Sequence, residues 1–202
     1  MNNDELAALL DPVDELATRA GKEILAVYNS DEFSVEEKDD KSPLTAADLA
    51  SHHAIVDGLA ALTPDIPILS EESASLPFAE RSSWQRYWLV DPLDGTREFI
   101  KRNGEFTVNI AFIDNGVPTL SVVHVPVSGV SYLACQGQGA FKQEADGTRE
   151  AIRVRKLGDG PIMVVGSRSH RGDSRNQFLQ RLGEHDLVGR GRSRQLCRVG
   201  VG

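Results

Sequence analysis

Two short apolar runs end in acidic loops: Leu69-Ser70-Glu71-Glu72 and Leu89-Val90-Asp91-Pro92-Leu93-Asp94-Gly95-Thr96. A strand that stops at carboxylates delivers them to the end of a sheet, where ligands commonly bind in α/β proteins. Asp91 and Asp94 stand three apart across Pro92. The proline fixes its own φ and biases Asp91 toward extended backbone, so both carboxylates can curl about one centre. The Leu93 carbonyl adds a neutral oxygen, Gly95 permits a tight turn, and Thr96 brings a hydroxyl to the same point. Oxygen donors without His or Cys suit Mg²⁺ rather than zinc. Two such ions about 3.5–4 Å apart can polarise a phosphoryl oxygen, lower the pKa of a water and stabilise a leaving oxygen. Each half alone has a plain reading, Glu71-Glu72 as a solvated loop and Asp94-Gly95 as a turn; the joint pattern points to chemistry. His52 and His53 read as helix-surface residues or locally satisfied ones.

The elements that must position these residues follow from periodicity. Val13, Leu16, Ala17, Ala20, Ile24 and Val27 recur at helical spacing, and Asp11-Pro12 reads as an N-cap before a first-turn proline, which predicts a helix over 12–28. Phe33 to Lys38 alternates as a short strand. Thr45-Ala-Ala-Asp48 resembles a capping box with aspartate in place of glutamate. Leu49, Val56, Leu59 and Leu62 are the expected apolar face of the following helix, which Pro64 and Pro67 end. Buried strands are predicted at 66–69 and 87–90, the second stopping at Asp91-Pro92. Alternation from Thr107 to Ile113, with Asn115-Gly116 as a hairpin turn, continues into strands at 118–127 and 129–135 of an antiparallel sheet. Asp146-Gly147 marks a further turn. Ile162 to Val165 reads as a buried strand and Ser174 to Leu182 as a short helix. The order implies an α+β or layered α/β protein, divided into a metal-binding domain over 1–156 and an incomplete α/β domain over 157–202.

The chain has 202 residues, 40% hydrophobic and 26% charged, an ordinary globular balance. No apolar run approaches the ~20 residues that span a bilayer. The acidic start Met-Asn-Asn-Asp-Glu lacks the basic region of a secretory signal, and Cys135 and Cys197 lack metal-ligand spacing, so both are read as reduced thiols of a cytosolic protein. A net charge of -8 argues against a nucleic-acid surface and makes a phosphate ester a difficult ligand unless bound cations offset the repulsion.

Asp91-Pro-Leu-Asp-Gly-Thr-Arg-Glu-Phe99 resembles the metal-binding motif of the inositol monophosphatase superfamily. Ser70-Glu71-Glu72-Ser73 and Thr45-Ala-Ala-Asp48 resemble two further elements of it. Arg97-Glu98-Phe99, the stretch 103–110 and Ser167-Arg168-Ser169-His170 are most similar to bacterial 3'(2'),5'-bisphosphate nucleotidases of the CysQ type. The resemblance implies a layered αβαβα sandwich and a reaction that hydrolyses adenosine 3',5'-bisphosphate to AMP and phosphate, within sulfur metabolism. It implies two or three Mg²⁺ ions. Glu71, Asp91 and the Leu93 carbonyl would hold the first, and Asp91 would bridge to a second that Asp94 helps bind. Thr96 would orient the attacking water with support from Asp48 and Glu71. Asp94 and the backbone at Gly95 and Thr96 would contact the substrate phosphate, at the start of an expected helix. Ser167 and His170 would line the nucleotide pocket.

At its end the chain departs from the family pattern. Neither Trp84 nor Trp88 precedes an aspartate, so the Trp-Asp element that completes the second metal site is not found. Arg192, Arg194, Gln195 and Leu196 stand where small, apolar, lysine and phenylalanine residues are expected. The chain is therefore read as truncated, with a weak second metal and slowed turnover. The alternatives to a nucleotidase are an inositol monophosphatase or sugar bisphosphatase of the same superfamily, and a weakly active chain that binds metal or nucleotide. The location implied is cytoplasmic, with peripheral attachment to the inner membrane and oligomeric state left open.

Overall fold

A computed structural model describes residues 1–30, 35–37, 43–73, 76–154, 156, 161–167 and 173–190. Helices α1 (Asn3–Ala7) and α2 (Leu10–Tyr28) open the chain, followed by the paired strands β1 (Val35–Glu37) and β2 (Pro43–Thr45) and helix α3 (Ala46–Leu62). A seven-stranded sheet is then built from β3 (Ile68–Ser70), β4 (Arg86–Asp94), β5 (Thr107–Asp114), β6 (Val117–Val125), β7 (Val130–Cys135), β8 (Gly139–Gln143) and β9 (Arg149–Ile152). Short helices α4 (Phe78–Arg81) and α5 (Thr96–Ile100) interrupt it. The strands lie in chain order; β3 runs parallel to β4 and every later pairing is antiparallel. Strand β10 (Ile162–Ser167), helix α6 (Asp173–Leu182) and strand β11 (His185–Arg190) form a separate parallel pair with its connecting helix. The fold is mixed α/β, a central sheet with helices.

Alternation assigns the two faces of the sheet. Trp88 and Val90, Val108 and Ile110, and Leu120 and Val122 point to one side and are buried under α2 and α3. Leu89 and Asp91, Asn109 and Ala111, and Ser121 and Val123 point to the other. On α2 the buried set Leu10, Val13, Ala17, Ala20 and Ile24 keeps the helical repeat. Trp88 is fully buried and donates its indole N–H to Thr63 Oγ1 at 2.8 Å, so its polar edge is satisfied inside the core. No helix among the described residues is long and apolar enough to cross a membrane.

Several expectations are corrected. Helix α2 begins at Leu10, two residues early, and Asp11 is not its cap. The Val13 N–H bonds to the Leu9 carbonyl, so the helix starts from the preceding turn and no side chain caps it. On α3 only Leu59 of the expected face is buried; Leu49 and Leu62 are exposed. The face turned inward is Ala47, Asp48, Ser51, Ile55 and Leu59. Apolar residues occur all round this helix, so hydrophobicity alone misplaces its buried face. The first predicted sheet strand is shorter, at 68–70, and only half-buried. Strand β4 does not stop at Asp91 but continues through Pro92 to Asp94, with its register broken there. Strand β10 is half-exposed rather than buried, Met163 among the exposed residues. The hairpin turn is as expected, with Asn115 at φ 50° and Gly116 at φ 78°. Phe33 and Lys38 lie outside the described residues.

Candidate active site

The site forms where β3 and β4 end side by side. Ser70 pairs with Val90, and the Glu71 N–H bonds to the Val90 carbonyl at 3.0 Å. Glu71 is thereby placed beside Asp91. One residue further, β4 bulges: Asp91 lies opposite Asn109 and Asp94 opposite Thr107, so Pro92 and Leu93 together face the single residue Val108. A bulge re-aims side chains, and here it leaves Asp91 and Asp94 near enough to act on one another electrostatically. Gly95 then turns the chain with φ 96°; a Cβ there would come within 3.2 Å of the Glu105 carbonyl. Helix α5 starts at Thr96.

Asp48 is 1% exposed and its two oxygens have separate partners. Oδ2 accepts from the Thr45 N–H at 2.8 Å and the Thr45 hydroxyl at 2.6 Å, the expected capping box. Oδ1 lies 3.2 Å from the Thr96 hydroxyl, which also lies 3.3 Å from the Leu93 carbonyl and has one proton to donate to either. The carbonyl keeps a second lone pair.

Burial, followed by the negative charge of Glu71 and of Asp94, pushes the Asp91 carboxyl up to about 8, and a hydrogen bond shared with Glu71 acts the same way. An N–H bond from Leu93 opposes this only in part. Asp91 Oδ1 is buried and has no hydrogen-bond partner. A carboxyl raised by burial and by two acidic neighbours, with one oxygen left without a partner, fits a divalent cation: positive charge there would offset the repulsion and occupy that oxygen. Among the described residues no three Asp, Glu, His or Cys side chains already converge in metal-holding geometry. A set that includes the Leu93 carbonyl needs fewer of them.

The structure thus brings together Asp48, Glu71, Asp91, Leu93, Asp94, Gly95 and Thr96. Ser167 ends β10, in the separate strand pair, where only its backbone is described. His170 and the stretch Arg192 to Leu196 lie outside the described residues. Beyond the carboxylates, a cavity of about 650 Å³ follows the open sheet face, lined by Glu71, Asp91, Asn109, Ser121, Val123 and Arg81. Asn109 is a site neighbour that reading the sequence missed; its Oδ1 accepts from the Thr107 hydroxyl at 3.0 Å, across from Asp91. Ser51, three residues from Asp48 on the same helix face, was not singled out, and His52, read as surface or locally satisfied, is half-buried and bonds to the Ser70 hydroxyl.

Comparison with known proteins agrees with this geometry. Residues 5–198 match the inositol monophosphatase family. The chain is 52% identical over 195 residues to an Escherichia coli protein named 3'(2'),5'-bisphosphate nucleotidase CysQ, covering 96% of this chain and 77% of that one. It is 40% identical to the Buchnera aphidicola protein of the same name, over 96% of this chain and 72% of the relative. The crystal structure of CysQ from Bacteroides thetaiotaomicron, described as a bacterial member of the inositol monophosphatase family, superposes with a TM-score of 0.82 at 36% identity, covering 96% of this chain and 76% of that one. With the two acidic loops, the bulge and the Thr96–Asp48 pair all in place, the chain belongs to the inositol monophosphatase family.

Proposed function

We propose that this chain is a Mg²⁺-dependent 3'(2'),5'-bisphosphate nucleotidase that hydrolyses the 3'-phosphate of adenosine 3',5'-bisphosphate to AMP and phosphate. The observation that carries the chemistry is Asp91: a carboxyl held up to about 8 by burial and then by its acidic neighbours, with one oxygen unpaired. The substrate is carried by likeness to the bisphosphate nucleotidases, at 52% identity over nearly the whole chain. That identity favours a nucleotide over an inositol or sugar phosphate.

Mg²⁺, when bound, would polarise the phosphoryl group and lower the pKa of a water. Glu71, Asp91, Asp94 and the Leu93 carbonyl are the groups that would hold it. Asp91, held protonated at neutral pH by burial and by the charges of Glu71 and Asp94, would give up its proton to a bound cation. Asp48 holds the Thr96 hydroxyl by Oδ1, and that hydroxyl orients the attacking water. The positive φ of Gly95 brings its backbone and that of Thr96 to the substrate phosphate. Ser167 and His170 contribute to the nucleotide pocket. Residues 1–156 carry the metal site and 157–202 form a second unit, a division supported by the end of the large sheet at Ile152 and the start of the parallel pair at Ile162. The buried free thiol Cys135 suits a reducing cytoplasm.

Product analysis tests the reaction. With adenosine 3',5'-bisphosphate and Mg²⁺, chromatography should detect adenosine 5'-phosphate and one phosphate per turnover, and none with a chelator present. Adenosine 3'-phosphate as the product, or turnover that persists in chelator, would overturn the proposal.

A further inference from the structure

Helix α3 presents three polar side chains in sequence on its inner side: Asp48, Ser51 and His52. Positions three and four apart share a helix face. Each side chain reaches a different segment of the site. Asp48 holds Thr96. Ser51 is fully buried and donates its hydroxyl to the Pro92 carbonyl at 2.7 Å, across 41 residues of chain. The His52 ring places Nδ1 2.8 Å from the Ser70 hydroxyl. Ser70 is 5% exposed and immediately precedes Glu71.

These bonds fall where the sheet cannot supply its own. Inside the β4 bulge, Pro92 and Leu93 have no paired residues on β5. A buried carbonyl left without a partner is destabilising. Ser51 satisfies the Pro92 carbonyl, and Thr96 reaches that of Leu93. Strand β3 is at the sheet edge and only three residues long, so its last residue has a strand partner on one side only. His52 anchors that residue from the helix side.

We infer that Ser51 and His52 are positioning residues: α3 is a common template that sets the separation of the Glu71 loop from the Asp91–Asp94 bulge through one side-chain hydrogen bond to each. The inference rests on the reading of those carboxylates as a Mg²⁺ site. Ser51 acts on the Pro92 carbonyl and His52 on the Ser70 hydroxyl, each of these residues being next in sequence to one that would hold the cation. Loss of supports of this kind commonly costs about tenfold to a hundredfold in metal affinity.

The test is calorimetric titration of the full 202-residue chain with Mg²⁺ alone, together with turnover across a Mg²⁺ series. Ser51→Ala and His52→Ala should each weaken Mg²⁺ binding about tenfold. Turnover lost at low Mg²⁺ should return when Mg²⁺ is raised by the same factor. His52→Asn, whose amide can meet Ser70, should restore most of the affinity. Variants that melt earlier but bind Mg²⁺ as wild type does would overturn the inference and leave the two bonds a purely structural role. Should Ser51→Ala fail to fold, His52→Ala decides: weakened binding supports the template and unchanged binding overturns it. Wild-type chain that binds no Mg²⁺ would overturn the metal reading itself and this inference with it, whereas wild-type binding with unaltered variants overturns the inference alone.

Discussion

Replacing Asp91 by Asn isolates the charge that the site must neutralise. In metal-free protein the Asp91 carboxyl is raised from 3.8 to about 8, so at neutral pH the folded state holds a proton that the unfolded chain does not. A raised folded-state pKa means that stability from this group is fully present below the unfolded value and is lost as pH rises through the folded one. Each unit is about 1.4 kcal/mol, so the roughly three units between 3.8 and neutrality set an upper bound of about 4 kcal/mol. Asn has the shape of the protonated acid and nothing to titrate. Metal-free Asp91→Asn should therefore be more stable than wild type by about 2–4 kcal/mol near pH 7, and the gap should close toward about pH 4. Mg²⁺ should act in the opposite sense. At a hundred times its Kd it should stabilise wild type by about 2.7 kcal/mol, and the variant, having lost one carboxylate of the proposed site, by far less. The assay is urea unfolding of both proteins at acid and neutral pH, in chelator and in Mg²⁺, with phosphate release measured in parallel. A variant less stable than wild type in chelator at neutral pH, or one that keeps the Mg²⁺ response and turnover, would refute the reasoning.

Thr96→Ala should lower kcat by about 10²-fold or more if, as proposed, the hydroxyl near Asp48 and the Leu93 carbonyl orients the reacting water, while stability falls only by about 1 kcal/mol; steady-state kinetics and melting on one preparation check both. Ca²⁺ substituted for Mg²⁺ should bind but not support turnover, since it prefers longer bonds and more ligands, and equal rates with the two ions would count against a tight carboxylate site. His124 is buried against Ser131 at 2.9 Å, and burial lowers its pKa from 6.5 with Asp14 opposing. Its contribution to stability is present above 6.5 and lost as pH falls, so urea midpoints should drop below that pH in wild type and less in His124→Gln.

The acidic loops were legible because chemistry and punctuation coincide there. Asp94-Gly95 announces a tight turn, and Thr45 to Asp48 announces a helix start whose cap is also the partner of Thr96. Helix α2 and the hairpin at Asn115-Gly116 were legible from period and turn chemistry. What stayed hidden depends on tertiary partners. The continuation of β4 past Pro92 needs the β5 register and the Ser51 hydroxyl, neither of which local propensity encodes. The buried face of α3 is lined with Ala47, Asp48 and Ser51, residues that no hydrophobic pattern selects. Asn109 reaches the site only because the hairpin register sets it across from Asp91.

The most direct test of the central claim is the rate of phosphate release from adenosine 3',5'-bisphosphate against inositol 1-phosphate, with Mg²⁺ and with Asp91→Asn as control. The account predicts Mg²⁺-dependent release from the nucleotide with kcat/KM at least about a hundredfold above the inositol ester, a margin that recognition of distinct polar groups supplies, and no release by the variant. Equal rates on the two esters, faster release from the inositol ester, or full turnover by Asp91→Asn would contradict it.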